Sequence, residues 1–355
     1  MTQPCKSANH PSTFTGEPGG QSQAPNPNTS RREFLRTVGG AATAAIVVPA
    51  GAAPSLKSLE RPVKIGLIAD LHQDVMHDGE ARLGAFLKEM ETVKPDALMQ
   101  LGDFAYPAEK NRSVIDKFNR AHKMSLHVIG NHDTDSGHTK QQCLDVWGMS
   151  ERYYATNVGG LRLLVLDGND TGSPTHKGGY VSYIGDEQHK WLQQQLAEHD
   201  GPMVVVSHQP LAGAWSIDNA EKIQATLSRH AEKVVLSLNG HTHIDDLLRV
   251  SMISYLHLNS ASYLWVGGNH IHQSYSKEIH EGHPFIGHTC PYRDSLFTTL
   301  TFDPKAGTIS VTGKKSEWVG QTPAQLGVDP HPQITNGEEV APRIRSRRIE
   351  LSLTD

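Results

Sequence analysis

The sequence predicts an α/β fold with a largely parallel sheet, on the basis of three observations. Short runs of Val, Ile and Leu bounded by Gly or Pro recur along the chain, as is typical of strands buried on both faces. Segments with apolar residues at helical spacing lie between these runs, notably residues 80–93 and 186–199. Each apolar run ends in polar side chains, and α/β folds gather their ligands outside the carboxyl ends of parallel strands.

Five strand-like apolar runs are each followed directly by polar side chains. In chain order, the runs and the polar residues that follow them are 63–69 with Asp70 and His72, 97–101 with Asp103, 126–129 with Asn131, His132 and Asp133, 203–206 with His208, and 234–238 with His241 and His243. A single Asp-x-His or His-x-His cluster is more often a surface feature than a site. Five clusters that each close a predicted strand instead predict one shared pocket at the strand ends.

The helices are predicted from their apolar positions. Residues 80–93 carry apolar side chains every three or four positions, including Leu83, Phe86 and Met90. Residues 186–199 begin with an acidic turn, which suits a helix N-terminus. Strands that alternate with such helices predict βαβ units.

Composition narrows the class of protein. The chain has 355 residues, enough for one large or two modest domains, and its formal net charge of −5 argues against nucleic acid as a partner held by bulk charge. The 21 histidines are many for this length, and histidine is the commonest metal ligand. The sequence has no CxxC pattern, which excludes a thiolate zinc site. Cys143 and Cys290 could pair in an oxidising compartment or remain free thiols.

Residues 1–53 predict a disordered leader followed by a signal peptide. The stretch Ser30-Arg31-Arg32-Glu33-Phe34-Leu35-Arg36, the weakly apolar run 38–48 and the small residues up to Ala52 resemble a bacterial twin-arginine signal. The apolar run falls short of the roughly 20 residues that span a bilayer, so we expect no stable membrane anchor. We expect cleavage near Ala52, the twin-arginine export machinery as a partner, and a periplasmic or secreted location.

The side chains of the shared pocket suggest its chemistry. Carboxylates, imidazoles and one carboxamide form an oxygen and nitrogen set without sulfur, which suits iron, manganese, zinc, cobalt or nickel. There are enough groups for two ions. Two ions held ~3.5–4 Å apart can clamp an in-line displacement at phosphorus and lower the pKa of a shared water.

The ordered motifs DLH, GD, GNHD, SHQP and GHTH resemble the calcineurin-like metallophosphoesterase superfamily over residues 63–245. The resemblance implies a four-layer αββα sandwich, with two central mixed sheets flanked by helices, in a domain at about 60–320. It implies a metal-dependent phosphoric ester hydrolase, a phosphatase or phosphodiesterase acting on a small-molecule phosphate ester. The implied cofactors are two divalent or trivalent metal ions, such as Mn, Fe or Zn.

Residue by residue, the resemblance implies two sets of metal ligands. The first metal would be bound by Asp70, His72 and His243, the second by Asn131, His208 and His241, and Asp103 would bridge the two.

The resemblance also implies catalytic roles for the residues that follow Asn131. A metal-bound hydroxide would attack phosphorus, and His132 would act as the general acid that protonates the leaving oxygen. Asp133 would orient the His132 ring, or Asp70 would do so.

Several alternatives remain at the level of sequence. The motif that contains Gly102 and Asp103 lacks the arginine of protein serine/threonine phosphatases, which makes that class unfavourable. Monoester and diester substrates both stay open. Tyr106 has the spacing of an iron-binding tyrosine, but we favour a loop-packing aromatic because His72 fills the competing ligand position. The rival function is an exported metal-binding protein with this fold and no turnover.

The C-terminal third is less informative. Residues 270–288 hold five histidines and form either a lid or a solvated surface loop, of which we favour the loop. Residues 296–302 and 308–311 predict a hairpin, which we expect to border the second sheet. Residues 321–355 are polar and proline-bearing, and we expect a tail or edge element without an assigned role.

Overall fold

Two six-stranded mixed sheets organise the described part of the chain, which comprises residues 53–329, 331–334 and 337–351 of this computed structural model. The predicted twin-arginine signal, at residues 30–52, lies outside the described residues. In the described ranges the α-helices are α1 (Gly79–Val93), α2 (Arg112–Ala121), α3 (Lys140–Trp147), α4 (Asp186–Glu198), α5 (Ala220–Ser228) and α6 (Lys277–Gly282).

The strands in the described ranges are β1 (Val63–Ile68), β2 (Ala97–Gln100), β3 (Ser125–His127), β4 (Tyr154–Val158), β5 (Leu161–Val165), β6 (Met203–Ser207), β7 (Val234–Asn239), β8 (Asp246–Val250), β9 (Ile253–His257), β10 (Tyr263–Trp265), β11 (Thr289–Pro291), β12 (Thr298–Asp303), β13 (Thr308–Val311), β14 (Lys314–Lys315), β15 (Arg343–Ile344) and β16 (Arg347–Glu350). The five predicted apolar runs correspond to β1, β2, β3, β6 and β7 of these strands.

The first sheet has the strand order β16-β13-β12-β1-β2-β3. Its strands β1, β2 and β3 are parallel, whereas β12 pairs antiparallel with β1 and places Leu300 beside Ile65. The hairpin of β12 and β13 therefore belongs to the first sheet, and our expectation that it borders the second sheet is wrong. Leu300 and Ile309 of this hairpin are buried in the core between the sheets.

The second sheet has the order β4-β5-β6-β7-β9-β8. Strands β5, β6, β7 and β9 run parallel, and the edge strands β4 and β8 are antiparallel to their neighbours. As predicted, the central strands are buried on both faces: β6 and β7 are buried along their whole length.

Three buried clusters separate the layers. Leu163 of β5 lies in the cluster between the two sheets, while its neighbour Leu164 lies on the opposite face with Leu192 of α4. On the outer face of the first sheet, Leu98 of β2 packs in one cluster with Phe86 of α1. The order of layers is helices, sheet, sheet, helices, so the predicted αββα sandwich is confirmed.

The C-terminal segment is part of this sandwich. Strand β16 pairs with β13 at the edge of the first sheet. Just before this strand, Arg345 donates from Nε to the buried carboxylate of Asp245 at 2.7 Å. Arg347, the first residue of the strand, pairs with the same carboxylate. Since Asp245 closely follows His243, these contacts fix the end of the loop that carries the histidine pair.

Two further expectations concern cysteine and the membrane. Cys143 and Cys290 are both buried free thiols, in different hydrophobic clusters. Within the described ranges, none of the helices combines the length and apolar character needed to cross a bilayer.

Candidate metal centre

The predicted ligands stand where five parallel strands end. Asp70 and His72 follow β1, Asp103 follows β2 and Asn131 follows β3, all in the first sheet. In the second sheet His208 directly follows β6, and His241 and His243 follow β7. Because the carboxyl ends of these strands meet at one edge of the sandwich, side chains that are distant in sequence come into contact.

One group consists of Asp70, His72 and His243, all of them buried. The Nε2 atoms of His72 and His243 are 3.2 Å apart. Oδ1 of Asp70 lies 3.3 Å from Nε2 of His243 and 4.0 Å from Nε2 of His72. Two imidazole nitrogens and a carboxylate oxygen thus converge on one point, which fits a cation with nitrogen and oxygen ligands.

A second group consists of Asp103, His208 and His241, joined by Asn131. Nε2 of His208 is 3.1 Å from Oδ2 of Asp103, 3.1 Å from Oδ1 of Asn131 and 3.2 Å from Nδ1 of His241. The donor atoms are again imidazole nitrogens and side-chain oxygens.

Asp103 stands between the two groups. Its Oδ2 atom is 3.1 Å from Nε2 of His208 in one group and 3.7 Å from Nε2 of His72 in the other. Its Oδ1 atom accepts the backbone N–H of His132 at 2.8 Å. The carboxylate is therefore held by the backbone on one side and faces both groups on the other, which is the position of a bridging ligand.

Hydrogen bonds on the far side of the rings orient two of the histidines. Nδ1 of His208 donates to the carbonyl of Leu101 at 2.8 Å, and Nδ1 of His243 donates to the carbonyl of Tyr263 at 2.8 Å. We assign these tautomers because a carbonyl can only accept. Nε2 of each ring is then left as the lone-pair donor that a metal requires.

The backbone at the site is held in an uncommon conformation. Five of the seven predicted ligands have a positive φ: Asp70, His72, Asp103, His241 and His243. The left-handed region costs energy for residues other than glycine, and such strain clusters at functional sites. Gly130 is also required, because a Cβ there would lie 2.1 Å from Oδ1 of Asp103.

The electrostatics of the groups suit cations. Burial lowers the pKa of His72 and of His241 well below the ordinary histidine value, so these rings are neutral and have lone pairs to offer. Burial also opposes protonation of His208, but the charge and hydrogen bond of Asp103, the charge of Asp70 and the bond to Leu101 together outweigh it and raise the pKa of His208 to about 9. A cation bound here would compete with that proton. The donor set fits two transition-metal ions.

Asp133 does not do what the sequence led us to expect. Its buried carboxylate accepts four backbone N–H groups, from Asp103 at 2.9 Å, Phe104 at 2.8 Å, Ala105 at 3.2 Å and Gly130 at 2.7 Å. It ties the loop after β2 to the loop after β3. We therefore correct its assignment: Asp133 supports the ligand loops and the His132 ring has other partners.

Those partners are Asp135 and Tyr180. Nδ1 of His132 lies 2.7 Å from Oδ2 of Asp135 and 3.0 Å from the Tyr180 hydroxyl, which itself donates to Asp135 at 2.8 Å. Sequence reasoning missed both residues. The i+3 spacing of Asp135 could have indicated it, but nothing in the sequence marks Tyr180, which lies in a loop 48 residues away.

Replacing Asp133 with alanine should destabilise the protein. Four buried N–H groups would lose their acceptor, and each unsatisfied buried donor costs about 1–3 kcal/mol, so we expect a loss of about 4 kcal/mol or more of unfolding free energy. Urea denaturation of metal-free protein would measure it. Asp145→Asn, a change at an exposed carboxylate of α3, is the control. An Asp133→Ala variant as stable as the control would contradict the supporting role.

The structure also describes Tyr106 and the histidine-rich segment, two features that the sequence left open. The Tyr106 ring packs 5.8 Å from the ring of His138 with the Lys110 ammonium above it, in agreement with a loop-packing aromatic. Within the histidine-rich segment, Nε2 of His280 accepts the backbone N–H groups of Ser274 and Tyr275, so the segment is folded on itself.

One family model and several solved structures are similar to this chain. The family model for calcineurin-like phosphoesterases matches residues 63–245. A dimetal phosphatase from Danio rerio is 15% identical, with a TM-score of 0.47 and coverage of 72% of this chain and 98% of that one. GAP50 of Plasmodium, the anchor in the inner membrane complex, is 12% identical, with a TM-score of 0.51 and coverage of 82% and 90%. No curated protein gives a significant sequence match.

A four-layer α/β sandwich with two adjoining candidate metal groups at its strand ends is the architecture of a metallophosphoesterase. The chain belongs to the calcineurin-like phosphoesterase family. It is a metal-dependent phosphoric ester hydrolase, and the two groups indicate a dinuclear metal centre.

Proposed function

We propose that the protein hydrolyses small-molecule phosphate esters at a dinuclear centre formed by the seven predicted ligands. One ion would be held by Asp70, His72 and His243. The other ion would be held by Asn131, His208 and His241. Asp103 would bind both ions. Manganese, iron and zinc fit the nitrogen and oxygen donors. The observation that carries this proposal is the position of Asp103, whose Oδ2 lies 3.1 Å from Nε2 of His208 and 3.7 Å from Nε2 of His72.

The two cations, when bound, would supply Lewis-acid stabilisation of the phosphoryl oxygens and lower the pKa of water at the site. The chain's own contribution to proton transfer comes from His132. Its side chain is 37% exposed at the edge of the centre, and Asp135 engages Nδ1, which leaves Nε2 available to a substrate. Burial opposes protonation of His132, but Asp103 and Asp135 raise the pKa of the ring above the ordinary histidine value. We propose that Nε2 of His132 passes a proton to the leaving-group oxygen.

The test is turnover of p-nitrophenyl phosphate and of bis-p-nitrophenyl phosphate by protein purified with its metals and supplemented with manganese. Release of p-nitrophenolate supports the proposal, and the ratio of the two rates assigns a monoester or a diester preference. Elemental analysis of the same sample should find two metal ions per chain. Metal-loaded protein that hydrolyses neither compound, nor any of a wider panel of phosphate esters, would instead indicate the rival metal-binding function.

We also propose that the chain is exported through the twin-arginine pathway. The support is the run Ser30-Arg31-Arg32-Glu33-Phe34-Leu35-Arg36 and the short apolar stretch after it. In a bacterial host the Arg31→Lys, Arg32→Lys double variant should stay in the cytoplasm at full length, while the wild type is cleaved near Ala52 and recovered outside the cytoplasm. Immunoblots of cell fractions would show this. Equal distribution of the two proteins would contradict export by this route.

A further inference from the structure

Tyr180 and Asp135 lie at the rim of the metal centre, next to the proposed general acid. The side chain of Asp135 is 24% exposed and Tyr180 is 50% exposed, so both residues are accessible to solvent beside the His132 ring. The rings of Tyr180 and His132 are in contact, with centroids 4.6 Å apart at 60°. Single exposed aromatic residues are common on protein surfaces and need no special explanation. Tyr180 differs from them because its hydroxyl makes directed polar contacts.

Three groups are in mutual hydrogen-bond distance, since the Tyr180 hydroxyl also lies 3.0 Å from Nδ1 of His132. The Asp135 carboxylate accepts from the Tyr180 hydroxyl at 2.8 Å and pairs with Nδ1 of His132 at 2.7 Å. Burial and the adjacent Asp135 raise the pKa of Tyr180, so its hydroxyl remains a proton donor. Since a carboxylate only accepts, Nδ1 of His132 is the donor towards Asp135.

Turns in the backbone next to Asp135 and Tyr180 place both side chains beside the His132 ring. After Asp135 the chain turns through two left-handed residues, Ser136 at φ 58° and Gly137 at φ 83°. Tyr180 follows two left-handed glycines, Gly178 and Gly179, at which an added Cβ would meet nothing within 4 Å. The tip of this loop is therefore open, and the directed contacts of Tyr180 are those with His132 and Asp135.

The base of the same loop is firmly held. Tyr183 donates its backbone N–H to the carbonyl of Gly168 at 2.7 Å, and Asp170 donates its own to the carbonyl of Tyr183 at 3.1 Å. A fixed base with an open tip thus places the hydroxyl of Tyr180 against Asp135.

We propose that Asp135 and Tyr180 form a positioning pair for His132: Asp135 holds the Nδ1 side of the ring, and Tyr180 holds Asp135, so that Nε2 is presented to the leaving-group oxygen. This inference rests on the proposed function, because it specifies how the acid of that reaction is oriented. The pair acts on departure of the leaving group and not on binding of metal. Carboxylates that orient an imidazole in this way raise its basicity and fix its tautomer.

The experiment compares leaving groups. p-Nitrophenolate departs with little help from a proton, whereas phenolate and alkoxides depend on the general acid. We would measure kcat of Asp135→Asn and Tyr180→Phe on p-nitrophenyl and phenyl esters of the class, mono- or diester, that the wild type hydrolyses. For the phenyl ester we expect losses of roughly 10²-fold in Asp135→Asn and roughly 5-fold in Tyr180→Phe, as for loss of an orienting carboxylate and of one hydrogen bond. For the p-nitrophenyl ester the losses should be several-fold smaller, with two metals still bound.

Matched controls are available on the surface. Tyr153→Phe removes a hydroxyl that donates to Glu187 at 3.3 Å, and Asp145→Asn changes a carboxylate that accepts from Gln141 at 2.9 Å. Both should behave like the wild type on both esters. Tyr180→Phe removes only the hydroxyl oxygen of Tyr180 and keeps its aromatic ring. This variant therefore tests the positioning pair even if Asp135→Asn folds poorly.

Several outcomes would overturn the positioning pair. These are equal losses on the two esters, no loss on either, or loss of metal from Tyr180→Phe. Failure of the proposed function looks different, because the wild type itself would then hydrolyse neither ester.

Discussion

Replacing His132 with alanine should lower turnover of phosphate esters by about 10²- to 10⁴-fold while two metal ions stay bound. The side chain is separate from the donor atoms of both metal groups, so its removal takes away none of the seven predicted ligands. The hydrogen bond of this residue to a ligand is made by its backbone N–H, which donates to Oδ1 of Asp103 at 2.8 Å and survives the substitution. The substitution removes the edge contact of the His132 ring with the His72 ring, 5.4 Å between centroids, but none of the donor atoms. We therefore expect His132→Ala to lose phosphate-ester turnover and to keep its two metal ions.

Two measurements on one sample test this separation. Elemental analysis should give the same metal content for His132→Ala and the wild type, while kcat falls. The loss should be larger for a phenyl than for a p-nitrophenyl ester, because the missing proton matters more to the poorer leaving group. His138→Ala, in the same loop, is the matched control and should retain activity. A His132→Ala variant that loses its metals would show that the assigned roles are wrong.

The ligand set was predictable because it depends on local sequence. Each predicted ligand follows a short apolar run, and parallel strands bring their carboxyl ends to one edge. The two sheets, by contrast, depend on pairing across long stretches of chain. Leu67 in β1 pairs with Thr298 in β12, and no pattern within either strand specifies its neighbour. For this reason our prediction that the C-terminal hairpin borders the second sheet is wrong.

The residues that contact the His132 ring could not be predicted from the sequence. Asp133 is adjacent in the chain, yet the backbone turns its carboxylate inward to four N–H groups. Asp135 reaches the ring instead, and Tyr180 arrives from a loop with no motif. The partners of Asp245 could not be predicted from the sequence either, since the two arginines lie about a hundred residues further along the chain. Side-chain direction after a turn depends on φ and ψ, which residue type specifies only weakly.

Asp103→Asn should empty the centre and reduce turnover by about 10³-fold or more, since the electrophilic stabilisation that the ions supply is worth several kcal/mol. The substitution keeps the size of the side chain and removes its charge. The amide oxygen can still accept the backbone N–H of His132, as Oδ1 of Asp103 does at 2.8 Å. The amide nitrogen would then replace Oδ2, which lies 3.1 Å from Nε2 of His208 and 3.7 Å from Nε2 of His72. An N–H donor would occupy the place where both ions need an anionic oxygen.

Thermal unfolding can separate metal loss from misfolding, because a ligand that binds only the native state stabilises it by RT ln(1 + [L]/Kd), or about 2.7 kcal/mol at a hundredfold excess over Kd. In chelator, Asp103→Asn should unfold somewhat below the wild type, because it loses the pairing of Asp103 with His208 at 3.1 Å, yet still unfold cooperatively. Added manganese should raise the midpoint of the wild type alone. Asp167→Asn is the matched control, since Asp167 is a buried carboxylate paired with Lys140 and Arg152 outside the two metal groups. It should lower stability and keep two metals. Asp103→Asn protein that retains two ions would mean that Asp103 does not bridge, and the dinuclear assignment would fail with it.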